Sequence, residues 1–157
     1  MKKLILILLT LVPILAGWLI NVTLLVPVLG ELMFYVFPIL VLVFWFRLGG
    51  RYAETDWGAV PAILIGSATG ILSLAIYLWQ FVGLDEASRN VGLAVWSQMY
   101  SAATPGYLYG RLAYLFEARP NYAGMAAHVA MQVIAVVLMA TVFAAGFFRS
   151  RKRGAAN

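Results

Sequence analysis

The chain has 157 residues, 64% of them hydrophobic and 11% charged, with a mean hydropathy of +0.92. A water-soluble domain of this size is far less apolar, so the composition points to lipid as the solvent. The net charge of +5 comes from residues at the ends of hydrophobic runs, which argues against nucleic acid as a partner, and the absence of cysteine excludes disulfides, thiolate metal sites and thiol nucleophiles.

A bilayer core about 30 Å thick needs roughly 20 apolar residues at about 1.5 Å each. Lys2 and Lys3 before an apolar run imitate a secretion signal, but a cut after Ala16 would put bulky Ile14 where a small residue is required. A retained first span is therefore expected over residues 4–27. Between residues 4 and 46 Glu31 is the only charge, which leaves room for a second span at 30–46, with Pro27 and Gly30 marking the turn. That span would be short, about 25 Å, with Arg47 snorkelling and a kink at Pro38. Residues 47–56 read as a polar connection. The third span is expected at 57–83, and its Ala62, Gly66 and Gly70, four residues apart, place a small-residue packing face on one side. The fourth is expected at 122–148, ended by the basic run 149–153. Trp45 and Trp57 on one side, and Tyr77, Trp79 and Tyr122 on the other, fall near expected interfaces.

Residues 84–121 are the ambiguous part. The stretch 90–110 carries no charge but holds Gln98, Pro105, Gly106 and several Ser and Tyr residues, a weak insertion signal. Charge placement arbitrates. With four spans, eight of the eleven basic residues share the side of Lys2, Lys3, Arg47 and Arg149, leaving Arg89, Arg111 and Arg119 opposite; with five spans the division is six against five. The positive-inside rule favours four. Within the outer segment, residues 91–103 form a helical candidate with Asp85 and Glu86 upstream. Leu108, Leu112, Leu115 and Phe116 then line one face of a short amphipathic helix, with Tyr107, Arg111 and Tyr114 on another, suited to the headgroup layer or to capping the bundle.

Candidate chemistry is sparse. His128 is the only histidine and Gln132 lies one turn on. Without cysteine or a nearby carboxylate, His128 makes a poor metal or haem ligand set, and an interhelical hydrogen bond, with Ser73 at similar depth, or an interfacial position is the expected role. Ser67 and His128 as a Ser/His protease pair would differ in depth by about 6 Å, against the ~3 Å that base and nucleophile need. Glu31 is expected at the outer interface, facing Arg89, Arg111 or Arg119. Asn21, Thr23, Thr69, Ser73 and Thr141 are too scattered to line a pore within one subunit. The basic run 149–153 can attract anionic lipid, but a stop-transfer flank also accounts for it. No phosphate loop, zinc motif or catalytic acid pair is present.

The sequence thus predicts one all-α transmembrane domain over 1–157: four spans, a partly helical outer segment at 84–121, and both termini cytoplasmic in the plasma membrane. The expected function is that of a multi-pass, non-enzymatic accessory or interaction subunit without a cofactor. Its partners would be the lipid bilayer and a membrane protein or further copies of itself. Alternatives are a homo-oligomeric transporter or channel subunit, and an enzyme or cofactor carrier centred on His128. Glu31, Arg111, His128 and Gln132 are the candidate polar or partner contacts, and Ala62, Gly66 and Gly70 the packing residues.

Overall fold

The computed structural model describes residues 3–119 and 122–154. Lys2, the last residues of the expected outer segment and the last three residues of the chain lie outside them. The described chain is all-helical: α1 (Lys3–Leu9), α2 (Val12–Thr23), α3 (Leu29–Tyr35), α4 (Phe37–Ala53), α5 (Ala59–Leu78), α6 (Val91–Ala102), α7 (Gly106–Ala113) and α8 (Met125–Gly154). Four continuous or nearly continuous helices are long and apolar enough to cross a membrane: Lys3–Thr23, Leu29–Ala53, Ala59–Gly83 and Met125–Gly154. They alternate in direction. Gly66 meets the Phe143 ring while Tyr77 reaches Met125, so α8 is antiparallel to α5, whereas α4 and α8 run parallel and cross closely where Gly49 meets the backbone of Phe143 and Gly146 that of Phe46. Lys3, Arg51 and the end of α8 gather at one end, called here the basic end.

Prolines interrupt the first two long helices at points where the freed backbone finds other partners. Pro13 stands at the start of α2, and the Ile14 amide bonds to Leu11 instead of Thr10. The Thr10 carbonyl, left free, accepts from the Thr69 hydroxyl at 2.9 Å, which ties the break to α5. Pro38 likewise begins α4 after the break at Val36. Between the two helices, Val28 adopts φ 62°, unfavourable for a β-branched residue, as the chain reverses tightly enough to bring Gly30 against the Leu24 carbonyl.

The second long helix differs from the sequence expectation. It runs on through Arg47 to Ala53 instead of stopping at Phe46, because the Gly49–Gly146 seam lets α4 and α8 keep packing along the segment read as a polar connection. The helix is therefore long enough to need no bilayer thinning. The fourth helix likewise continues past Phe148 to Gly154. Trp45 is not an interfacial anchor: it is fully buried, 5.8 Å from the Phe143 ring and 6.3 Å from that of Tyr100. Tyr52, Met139 and Phe147 complete this core. The face carrying Ala62, Gly66 and Gly70 is buried against it, and there the rings of Phe143 and Tyr100, not another helix backbone, make the close approach.

The described part of the expected outer segment, residues 84–119, packs further into the bundle than the sequence pattern suggests. α6 begins beside Gln80 near the end of the third long helix and descends antiparallel to α5 until Tyr100 faces Gly70 and Trp45. It packs between α2 and α5, with the Met99 carbonyl against Gly17. Small residues explain how a helix with Gln98 and several serines fits among apolar ones: Gly17 and Gly70 leave the room. After a turn at Thr104 and Pro105, α7 returns along α8, where Gly106 lies over Met131. The apolar stripe of α7 and of the 3-10 turn after it (Tyr114–Phe116) points outward, Leu115 being 79% exposed and Leu108, Leu112 and Phe116 also exposed, while Tyr109 and Ala113 face inward. An outward apolar stripe suits a helix in contact with lipid.

Candidate functional site

The start of α6 is fixed by one side chain. The last turn of the third long helix, Trp79–Gly83, widens to a π-helix, and Gln80 within it is fully buried. Its Oε1 accepts from the Asn90 amide at 2.8 Å and its backbone carbonyl accepts from Arg89 Nε at 2.9 Å. Asn90 in turn caps α6, its Oδ1 accepting from the Leu93 amide at 3.1 Å. Asp85 caps the short turn before it by accepting from Ser88, a bond that holds its carboxyl below the usual carboxylate range. π-turns recur at functional sites because they re-aim a side chain inward. Here the re-aimed residue sets where the descending helix enters the bundle.

The descent opens a cavity of about 390 Å³ walled by α2, α3, α6, α7 and α8. Asn21, Gln98, Ser101, Thr104, Tyr109, His128 and Gln132 line it together with Phe34, Met99 and Met131. In a chain that is 64% hydrophobic, this is a concentration of hydrogen-bonding groups. Their donors are largely used internally: Asn21 Nδ2 donates to the Gly17 carbonyl at 2.8 Å, Gln98 Nε2 to that of Ala94 at 3.1 Å, and Ser101 Oγ to that of Gln98 at 2.9 Å. Thr104 donates to the Ser101 carbonyl at 2.6 Å and is also bonded to Tyr109. The oxygens of Asn21, Gln98 and Ser101 keep free lone pairs, so these walls present acceptors. Gln132, only 8% exposed, has no side-chain hydrogen bond among the described residues. Trp45, Tyr100 and Phe143 lie outside its lining, packed to 1% exposure or less.

His128 and Gln132 thus share this wall, one turn apart on α8. The expected bond from His128 to Ser73 is not formed: His128 is exposed, Ser73 is buried, and neither side chain has a hydrogen bond among the described residues. Depth alone made the pair plausible; α8 instead places His128 on the cavity wall. Ser67 is buried outside this cavity and is not brought to His128. Glu31 and Arg111 are exposed and lie outside the cavity, and among the described residues Glu31 makes no ion pair with Arg89, Arg111 or Arg119. Arg89 is engaged by Gln80 and the Phe81 ring, and Arg119 by the Tyr122 ring. Among the described residues no group of three His, Cys, Asp or Glu side chains could hold a metal ion.

Thr104, Tyr109 and Gln80 were not singled out by the sequence. Gln98 was weighed only as a sign that its segment avoids lipid; its spacing to Ser101, one helical turn, was the available clue to a polar face. Comparison with protein-family models, curated proteins and solved structures gives no match. The functional reading therefore rests on this geometry.

Proposed function

We propose that the chain is a four-span membrane protein of the plasma membrane, with its basic end cytoplasmic, that acts as a non-enzymatic interaction subunit. In this reading α6 and α7 are a re-entrant helix pair, and their cavity is a vestibule opening on the non-cytoplasmic side. The vestibule receives a hydrogen-bond donor, such as an amide or hydroxyl, from a segment of a partner membrane protein. The observation that carries the reading is the acceptor-lined cavity beside the unbonded, buried Gln132. Backbone and side-chain polar groups at membrane depth are tolerated where they line a wet or occupied cavity, and the Gln132 amide on this wall is left for a partner to meet. Eight of eleven basic residues on one side support the orientation.

A photo-crosslinking residue at Val95, on the vestibule wall, should capture a discrete partner in intact membranes. The same residue at Val137, on the exposed face of α8, should not, and Gln98→Leu with Gln132→Leu should abolish the adduct. Identical adducts from both positions, or an adduct indifferent to the double substitution, would refute the reading. A homo-oligomeric solute path is the second reading, favoured by the polar lining of the cavity. Solute flux in liposomes, blocked by Gln98→Leu, would establish it in place of the first.

A further inference from the structure

We propose that the groove between α4 and α8 at the basic end is a binding site for one anionic phospholipid. Arg47 of α4 and Arg149 and Arg153 of α8 line it, with Ser150 beside them. Arg149 and Arg153 stand one turn apart on α8, so the two helices aim three guanidinium groups at one volume of about 600 Å³. None of the three has a carboxylate partner among the described residues. The nearest cluster of acids, Glu54 and Asp56, lies in a separate pocket with Lys3 and Arg51. Like charges gathered without a counter-charge repel one another, and an anion with several acceptor oxygens relieves that repulsion while taking charge-assisted, bidentate bonds.

The rest of the groove says which anion. Leu42, Val43 and Phe46 continue it away from the arginines along α4. Leu42 is five residues from Arg47, about 7.5 Å along the axis, so a charged mouth passes into an apolar wall over roughly the distance from a phosphate to the first acyl carbons. Arg149 is held over the Phe46 ring with its guanidinium carbon 5.6 Å from the centroid, at the boundary between the two halves. Gly50 and Gly146 form the floor without side chains that would fill it. A free phosphate would satisfy the arginines and leave the apolar half unused; a phosphodiester with acyl chains occupies both.

This inference rests on the membrane reading above, and its test separates the two. The protein is reconstituted in bilayers of equal phosphatidylcholine and phosphatidylglycerol, floated, released and weighed by native mass spectrometry. Flotation reports the membrane reading: a chain that stays in the aqueous phase refutes that reading. Given flotation, one phosphatidylglycerol should remain bound in clear excess over phosphatidylcholine. Arg47→Gln, Arg149→Gln and Arg153→Gln should each weaken retention roughly fivefold, the factor that one cation near an anionic surface supplies. All three side chains are exposed, so helicity and melting of the variants should match wild type. Arg151→Gln with Lys152→Gln removes two charges outside the groove and should leave retention unchanged. Equal retention of the two lipids, equal loss in the control pair, or displacement by millimolar inorganic phosphate would each overturn the proposal.

Discussion

Replacing Gly146 with alanine should destabilise the bundle, whereas the same change at Gly50, on the facing helix, should not. At Gly146 the added Cβ would lie 2.8 Å from the Phe46 carbonyl carbon and 3.2 Å from its Cα. These are backbone atoms in the middle of a helix, so no side-chain rotation relieves the clash and α4 and α8 must move apart. A separation of about 0.5–1 Å forfeits a quarter to a half of the dispersion energy at each affected contact, and overpacking of this kind costs about 1–3 kcal/mol. Because the obstruction is backbone, the upper part of that range applies. Alanine returns about 1 kcal/mol through helix propensity, leaving a net loss of about 2 kcal/mol. For a chain of this length that corresponds to a fall in Tm of about 4–8 °C. At Gly50 the nearest atom to the new Cβ is Ser150 Cβ at 3.6 Å, ordinary contact, so the propensity gain of up to about 1 kcal/mol should stand alone. Thermal unfolding in detergent followed by far-UV circular dichroism measures both. A Gly146→Ala protein that melts at or above wild type would show that the glycine seam does not set the spacing of α4 and α8.

Three further outcomes follow from the same geometry. Gly66→Leu should cost about 1–3 kcal/mol in the same assay, because its side chain would displace the buried Phe143 ring; unchanged melting would mean that the small-residue face points to lipid. Gln80→Leu removes the acceptor for the Asn90 amide, at a cost of about 1–3 kcal/mol, and should speed hydrogen exchange over residues 88–93, whereas unaltered exchange there would refute the role of Gln80 in fixing the start of α6. Since the chain has no native cysteine, Ser88→Cys and Ser150→Cys should react with an impermeant thiol reagent from opposite sides of the membrane, and labelling of both from one side would refute the four-span topology.

The four long helices were legible because the signal is length and apolarity, which do not depend on what each helix touches. Their ends were less so. Arg47, Gly49, Gly50 and Arg51 read as a polar turn, yet whether a glycine breaks a helix or seats a neighbour depends on the neighbour, and Gly146 is far away in sequence. Trp45 shows the same limit: its aromatic character fits an interface, and only the positions of Tyr100 and Phe143 make it core. The vestibule is harder still. Asn21, Gln98, Tyr109 and Gln132 belong to four different helices, so no window of sequence holds the site. What the sequence did carry was the short-range part: Gln98 with Ser101 on α6, and His128 with Gln132 on α8.

The polar helix α6 can sit this deep because it meets most of its own needs. Ser97, Gln98 and Ser101 each donate to a carbonyl one turn back, so the donors that would be costly in an apolar setting are already bonded. Acceptor lone pairs remain, and they are gathered on the vestibule wall. Tyr100, on the same helix as Gln98 and Ser101, meets Trp45 and so joins α6 to the α4–α8 core. A donor bound to the α6 and α8 walls of the vestibule would therefore hold α6 against the core, and anything that binds only the folded state adds RT ln(1 + [L]/Kd) to stability. At a hundredfold excess over Kd that is about 2.7 kcal/mol, comparable to the loss expected for Gly146→Ala. Occupancy of the vestibule and packing of the bundle are consequently coupled. A true partner segment, supplied as a peptide, should raise the Tm of wild type and restore that of Gly146→Ala, but should do neither in Gln98→Leu/Gln132→Leu. Rescue that persists in the double variant would place the binding surface elsewhere on the protein.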